Sequence, residues 1–75
     1  MNQLNRIESN PNIMLGKPVI KGTRITVELI LKKLASGFSI KQISTAYDHI
    51  TREDILASIE YAADVISHEE MIELI

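Results

Sequence analysis

Two helix-start signals constrain the fold of this chain more than any other feature of its sequence. Ser39 is followed three residues later by Gln42, and Thr51 is followed three residues later by Asp54. In each pair the hydroxyl accepts a hydrogen bond from the backbone three residues on, while the later side chain reaches back to the first backbone N–H. Such a capping box fixes where a helix begins. The sequence therefore predicts one helix directly after Ser39 and another that begins at Arg52.

Apolar residues flank both boxes at the spacing of a hydrophobic staple. Phe38 and Ile43 bracket the first box, and Ile50 and Ile55 bracket the second. The helix that starts at Arg52 is predicted to reach about Ser67, and the pattern there fits either a bend or a helix that continues. Its predicted inward face consists of Ile55, Leu56, Ile59, Ala62, Ala63 and Ile66.

An earlier helix is predicted from the apolar residues that follow Thr26. They recur at intervals of three and four, which places them on one face of a helix. Thr26 suits the N-cap, Gly37 suits a left-handed end, and Lys32 and Lys33 are expected to face water. The predicted apolar face consists of Val27, Ile30, Leu31, Leu34 and Ala35.

The first third of the sequence lacks this periodicity and indicates short strands. Residues 10–12 have the composition of a turn. Residues 19–20 and 23–25 are predicted as two very short strands, and the turn that joins them has positive φ at Gly22. Strands this short need a partner, either from residues 3–9 or from a second subunit. We therefore predict a mainly α, single-domain protein. Residues 1–25 form an N-terminal β arm and hairpin, and residues 26–75 form a three-helix, homeodomain-like helix-turn-helix bundle.

Charge is divided unevenly along the chain. The formal net charge is -2, yet residues 1–41 carry seven basic and two acidic residues, whereas residues 42–75 carry one basic and eight acidic residues. A basic half attracts polyanions and an acidic half attracts a basic protein. Two ordinary solvated surfaces would give the same division, so that interpretation stays open.

Any nucleic acid is expected to contact the basic half. The start of the third helix is unsuited to phosphate, because Glu53 and Asp54 outweigh Arg52 there. Lysines and arginines of an arm and one helix face would contact phosphate and position the protein without reading sequence. The candidate nucleic-acid or anion-binding residues are Arg6, Lys17, Lys21, Arg24, Lys32, Lys33 and Lys41.

Residues 16–25 combine two glycines and a proline with three of these bases. A phosphate site, a nucleic-acid arm and a solvated hairpin are the three interpretations. The glycine spacing differs from a Walker loop, and a third glycine for a dinucleotide fingerprint is missing. A structural turn is favoured, with anion binding as the alternative.

Catalysis is the class of function that the sequence supports least. There is no cysteine, and His49 and His68 are far apart, so we expect no metal site and no cofactor. The acidic residues near each histidine are next to it in the sequence, and the side chains of consecutive residues on a helix point away from each other. Ser39 and Thr51 serve as caps, which leaves no activated nucleophile. The protein is predicted not to be an enzyme.

The remaining predictions concern location and partners. The first twelve residues lack the apolar core of a signal peptide, and no apolar run approaches membrane-spanning length, so a cytoplasmic protein is expected. The acidic second half and the apolar end of the sequence favour binding to another protein. Packing onto the chain's own core or a dimer contact are the alternatives for that end. The candidate partner-binding residues are Glu69, Glu70, Met71, Ile72, Leu74 and Ile75.

A family resemblance covers nearly the whole chain. It is carried by the string G-K-P-x-I-x-G-T-R-I at residues 16–25 and by A-x-G-x-S at residues 35–39, with Tyr47, Thr51 and the pair Asp54-Ile55 further on. In these motifs the chain resembles the bacterial domain-of-unknown-function family four hundred and thirty-three. Residues 48–50 depart from the family pattern, which usually has a proline in this turn.

The resemblance implies a homeodomain-like helical fold that is usually dimeric. It also implies the antitoxin half of a two-gene module whose partner is a PIN-like ribonuclease. We therefore predict a homodimer that neutralises such a toxin and that also holds DNA. A stand-alone DNA-binding transcriptional regulator is the alternative.

Overall fold

The protein folds into three α-helices preceded by a small antiparallel sheet. A computed structural model describes residues 3–68. In chain order, the elements are a 3₁₀ helix at Gln3–Arg6, β1 at Ile7–Glu8, a 3₁₀ turn at Met14–Gly16, β2 at Val19–Ile20, α1 at Val27–Ala35, α2 at Ile40–Ala46 and α3 at Arg52–Ser67. This architecture confirms the predicted three helices with a short N-terminal β arm.

Both predicted capping boxes are formed. Ser39 Oγ accepts from the Gln42 backbone N–H at 3.0 Å, and Gln42 Oε1 accepts from the Ser39 N–H at 2.8 Å. Thr51 and Asp54 make the equivalent pair at 3.1 and 3.0 Å. Two backbone N–H donors and two side-chain acceptors are thereby hydrogen-bonded at each helix start. This pairing is why α3 starts at the predicted residue.

The sheet is closed within one chain. Ile7 pairs with Ile20 and Glu8 pairs with Val19, so residues 3–9, rather than a second subunit, supply the partner strand. The predicted strand at residues 23–25 is wrong. Thr23 turns the backbone there, because its hydroxyl donates to the Ile20 carbonyl at 2.8 Å and accepts from the Ile25 N–H at 3.0 Å.

The core is built from isoleucine. One buried isoleucine comes from β2, one from each of the three helices and one from the turn before α3. Their branched side chains are stiff, so burial costs less rotamer freedom than it would for longer residues. These five residues are Ile20, Ile30, Ile43, Ile50 and Ile55.

The predicted inward face of α3 is correct only in the first half of the helix. Ile55 is fully buried, but Ile59 and Ala63 are exposed, and Ile66 retains 67% of its accessible surface. Ala57 and Ser58 are buried instead. A helix of sixteen residues is about 24 Å long, whereas α1 has nine residues and α2 has seven. The second half of α3 therefore extends beyond the helices that would cover it.

The turn at Met14–Gly16 was not predicted. Met14, Leu15 and Gly16 have φ values of +49, +59 and +83°. A left-handed backbone costs roughly 1–2 kcal/mol for a residue with a Cβ atom, and Leu15 gains little from burial because it is 93% exposed. The turn nevertheless closes, with Gly16 and Lys17 donating to the carbonyls of Ile13 and Met14.

Candidate functional site

An open apolar groove of about 610 Å³ lies between α1 and the second half of α3. Leu31 and Ala35 of α1 form one wall, and Tyr61, Val65 and Ile66 of α3 form the other. Val65 and Ile66 keep 41% and 67% of their surface exposed. These accessible apolar side chains on two adjacent helices form a candidate contact surface.

The groove follows from the difference in helix length. Val27 and Ile30, near the start of α1, are buried in the core, while the apolar residues toward its end lie opposite the uncovered part of α3. The sequence contained the signal for this surface. The apolar stripe of α3 is longer than α1 or α2 can cover, but no residue pattern shows which part of the stripe stays open.

A three-residue ion cluster lies on the rim of the groove. Lys17 Nζ is 3.1 Å from Glu28 Oε1, and Lys32 Nζ is 3.3 Å from Glu28 Oε2. The hydrogen bond from Lys17, followed by that from Lys32, lowers the pKa of Glu28 from its ordinary value. Two of the predicted phosphate-binding lysines therefore share a carboxylate, and their positive charge is partly neutralised.

Arg6 is also paired with a carboxylate. Its Nη1 donates to Asp54 Oδ1 at 3.1 Å, while Oδ2 of the same carboxylate completes the cap of α3. The bond joins residues 48 positions apart and links the N-terminal arm to the start of α3. At this point the basic arm contacts the acidic half of the chain, so the two signs of charge meet here.

The hairpin bases lie on an exposed turn that already binds a carboxylate. Lys21 and Arg24 are exposed on either side of Gly22, whose φ is +81° as predicted. The Gly22 backbone N–H, the group that a phosphate loop would offer to an anion, donates to Glu8 Oε2 at 3.2 Å. The closed turn is the interpretation favoured from sequence.

The last two candidate bases lie together near the junction of α1 and α2. Lys33 Nζ is 5.0 Å from the centroid of the Phe38 ring, and Lys41 is exposed in the first turn of α2. Neither lysine forms a salt bridge to another of the described residues. These two residues, with Lys21 and Arg24, are the candidate bases whose charge is not paired within residues 3–68.

The histidines lie apart on the surface. His68 Nδ1 is 2.7 Å from the Asp64 carbonyl and 3.9 Å from its carboxylate, at the end of α3. His49 is exposed in the turn before that helix. Within the described part of the chain, no group of three or more metal-ligating side chains comes together.

Two further observations bear on the sequence predictions. No helix in residues 3–68 has the length and apolar character to cross a membrane. The candidate partner-binding residues Glu69, Glu70, Met71, Ile72, Leu74 and Ile75 lie outside the described residues.

Comparison with known proteins identifies the family. The model of the family described as "Protein of unknown function (DUF433)" matches residues 7–62. The chain belongs to the DUF433 family. The matched region runs from β1 into the second half of α3, so it includes both walls of the groove as far as Ala62. The resemblance inferred from the glycine-rich string is confirmed.

A relative and a solved structure are similar to this DUF433 protein. The "Uncharacterized protein y4eO" of Sinorhizobium fredii is 37% identical over 54 residues, which are 71% of this chain. The chain spans 24% of that relative's length. The crystal structure of a DUF433 member from Anabaena variabilis is 27% identical with a TM-score of 0.79, over 84% of this chain and 62% of the other.

Proposed function

We propose that this DUF433 protein is a non-catalytic cytoplasmic antitoxin that neutralises a PIN-like ribonuclease docked on the α1–α3 groove. The groove is the observation that carries the proposal, because it leaves Leu31, Val65 and Ile66 accessible along two helices. A helix or loop of a partner that fills such a groove removes apolar surface from water on both molecules.

Carboxylates of α3 outside the groove are the groups that would suit a basic partner. Glu60 and Asp64 are exposed on this helix, whereas the groove rim itself carries Lys17 and Lys32, which share Glu28. A ribonuclease must present cations to RNA phosphate, and those cations would complement the two α3 carboxylates beside an apolar contact. Antitoxin carboxylates would then occupy the positions that phosphates need, which explains inhibition without a chemical step.

Dimer formation and DNA contact complete the proposal. A homodimer would double the basic surface formed by Lys21, Arg24, Lys33 and Lys41 and allow two DNA backbone contacts at a fixed separation. The alternative, a stand-alone transcriptional regulator, shares the DNA contact but needs no ribonuclease. The antitoxin acts only when the ribonuclease occupies the groove, whereas the stand-alone regulator acts with the groove empty.

Co-expression with the product of the neighbouring gene, which the proposal expects to be a PIN-like ribonuclease, tests the proposal. The two proteins should co-purify, and the complex should not cleave RNA that the isolated enzyme cleaves. Val65→Asp should weaken binding about tenfold or more, since it buries an unpaired charge in the interface. Ala63→Asp is the matched control, because it adds the same charge to an exposed position of the same helix.

Two results would reject the proposal. The first is an isolated protein that leaves the ribonuclease fully active and does not bind it. The second is equal capture by the Val65→Asp and Ala63→Asp proteins, which would move the contact away from the groove. Retained DNA binding in either case would favour the stand-alone regulator.

A further inference from the structure

A second stretch of the chain carries positive charge and no carboxylate of its own. The nineteen residues between Glu28 and Asp48 include no aspartate or glutamate, and they include Lys32, Lys33 and Lys41. This stretch forms most of α1, the connecting turn and all of α2. A polyanion that approaches the turn meets no like charge from these nineteen residues.

Phe38 is exposed in the turn between α1 and α2. It is the single phenylalanine of the chain, and it keeps 43% of its surface accessible. The turn that carries it is closed, since Gly37 donates to Leu34 O at 3.0 Å and Phe38 donates to Lys33 O at 3.1 Å. The ring is therefore presented by an ordered backbone, which lowers the entropy lost when a ligand binds to it.

The cation beside the ring is directed away from the groove. Successive residues of a helix differ by about 100° in direction, so Lys32 and Lys33 leave α1 on different sides. Lys32 contacts Glu28 on the groove rim, whereas Lys33 Nζ is 5.0 Å from the Phe38 ring centroid. A ligand at Phe38 and a protein in the groove would therefore contact different sides of α1.

A shallow depression of about 620 Å³ continues from the turn along α2. Lys41 and Thr45 contribute an ammonium and a hydroxyl group to it, while the Ser39 hydroxyl and the Gln42 amide oxygen accept hydrogen bonds in the capping box of α2. The residues that line it are Ser39, Lys41, Gln42, Thr45 and Ala46.

We propose that Phe38, Lys33 and Lys41 form a binding site for single-stranded nucleic acid. A base stacks on the Phe38 ring, and the two ammonium groups contact phosphates on either side of that base. An aromatic ring combined with flanking cations is the arrangement by which proteins hold single strands without strong sequence preference. The bases of a duplex are stacked on each other, so their faces are not available to a ring at the tip of a turn.

Fluorescence anisotropy with a labelled single-stranded oligothymidylate of about 12 nucleotides tests the site. The wild-type protein should bind this probe with an affinity that falls as salt rises. Phe38→Ala should weaken binding about tenfold, the loss expected when one stacked base loses its platform. Phe38→Tyr should restore it, because tyrosine keeps the ring.

A pair of adjacent lysines provides the charge control. Lys33→Gln should weaken binding roughly threefold or more and reduce the slope of log affinity against log salt by about 0.7, because one phosphate contact is lost. Lys32→Gln removes the same charge one residue away, from a side chain held by Glu28, and should leave both quantities unchanged. Circular dichroism of each variant verifies that the helices are intact.

Three results would overturn the site. They are equal effects of Lys32→Gln and Lys33→Gln, unchanged single-strand binding by a folded Phe38→Ala protein, and an equal weakening of duplex and single-strand binding by Phe38→Ala. The experiment contains no ribonuclease, so its outcome is independent of whether a toxin occupies the groove.

Discussion

The two halves of α3 lie in contrasting environments. Around the first half, Asp54, Ile55, Ala57 and Ser58 are buried, and Arg6 of the N-terminal arm donates to Asp54. Around the second half, apolar side chains face an open groove, with Ile66 two-thirds exposed. One continuous helix thus forms part of the core at its start and part of an accessible surface at its end.

This contrast separates the residues that stabilise the fold from the proposed binding surface within a single element. Stability depends on the first half, where Ile55 and Ala57 are fully buried and both polar groups of the cap are hydrogen-bonded. We expect the second half to accept changes without loss of the fold, because few described residues cover it. A small domain with a marginal core would benefit from this arrangement, since the proposed partner contacts do not involve the residues that hold it folded.

The largest expected difference is between two isoleucines of the same helix. Ile55→Ala should lower the free energy of unfolding by about 3 kcal/mol, because it leaves a cavity among buried side chains. Ile66→Ala should change it by less than about 0.5 kcal/mol at its exposed position. Urea denaturation followed by circular dichroism measures both. Equal losses would show that the second half of α3 is as well packed as the first.

Larger side chains test the same contrast between the two halves of α3. Ala57→Leu should destabilise the fold by about 1–3 kcal/mol, since Ala57 has no exposed surface and the core must move to accept three more carbons. Ala63→Leu adds the same atoms at an exposed position and should be nearly neutral. Thermal melts of the two proteins show which of them is less stable. An Ala57→Leu protein as stable as the wild type would mean that the first half contains unfilled space.

The contact between arm and helix should have a smaller effect. Asp54→Ala removes both a cap acceptor and the partner of Arg6, for an expected loss of about 1–2 kcal/mol. Glu53→Ala is the control, because it removes the same charge from an exposed neighbour. Combining Asp54→Ala with Arg6→Ala should cost less than the sum of the single changes, measured by a double-mutant cycle. Additive losses would indicate two independent contributions.

The smallest effect concerns the rim of the groove. The Lys17 hydrogen bond is the main cause of the lowered pKa of Glu28, so Lys17→Gln should raise that pKa toward its ordinary value. A carboxyl group whose pKa is lowered by folding stabilises the fold above its unfolded pKa, and this contribution is lost as the pH falls through the folded pKa. An NMR titration of the Glu28 side chain follows the shift. Lys33→Gln, on the other side of α1, should not alter it.

Local signals predicted the helices well. The capping boxes at Ser39 and Thr51 and the glycine after α1 act through residues within four positions, so their effect does not depend on the rest of the fold. The start of α3 at Arg52 follows directly from such a signal. The string at residues 16–25 likewise indicated the family, although the turn it forms is structural and is already bonded to Glu8.

Contacts between residues that are far apart in the sequence, and the way whole elements pack, were not predicted. The Arg6–Asp54 contact spans 48 positions, and no periodicity reveals it. The exposed end of α3 depends on the relative lengths of three helices, and the left-handed Leu15 depends on how the chain returns to β2. The same limit applies to what the sequence could predict about the candidate nucleic-acid-binding residues. Sequence gives their charge, but the pairing of Arg6, Lys17 and Lys32 with carboxylates requires the fold.

The link between Arg6 and Asp54 also bears on biosynthesis. The arm is synthesised 48 residues before Asp54, so β1 can pair with β2 before Arg6 has its partner in α3. A chain that ended between α2 and α3 would keep the sheet but lack this ion pair. The Arg6–Asp54 bond is therefore a late step that only a chain extended into α3 can complete.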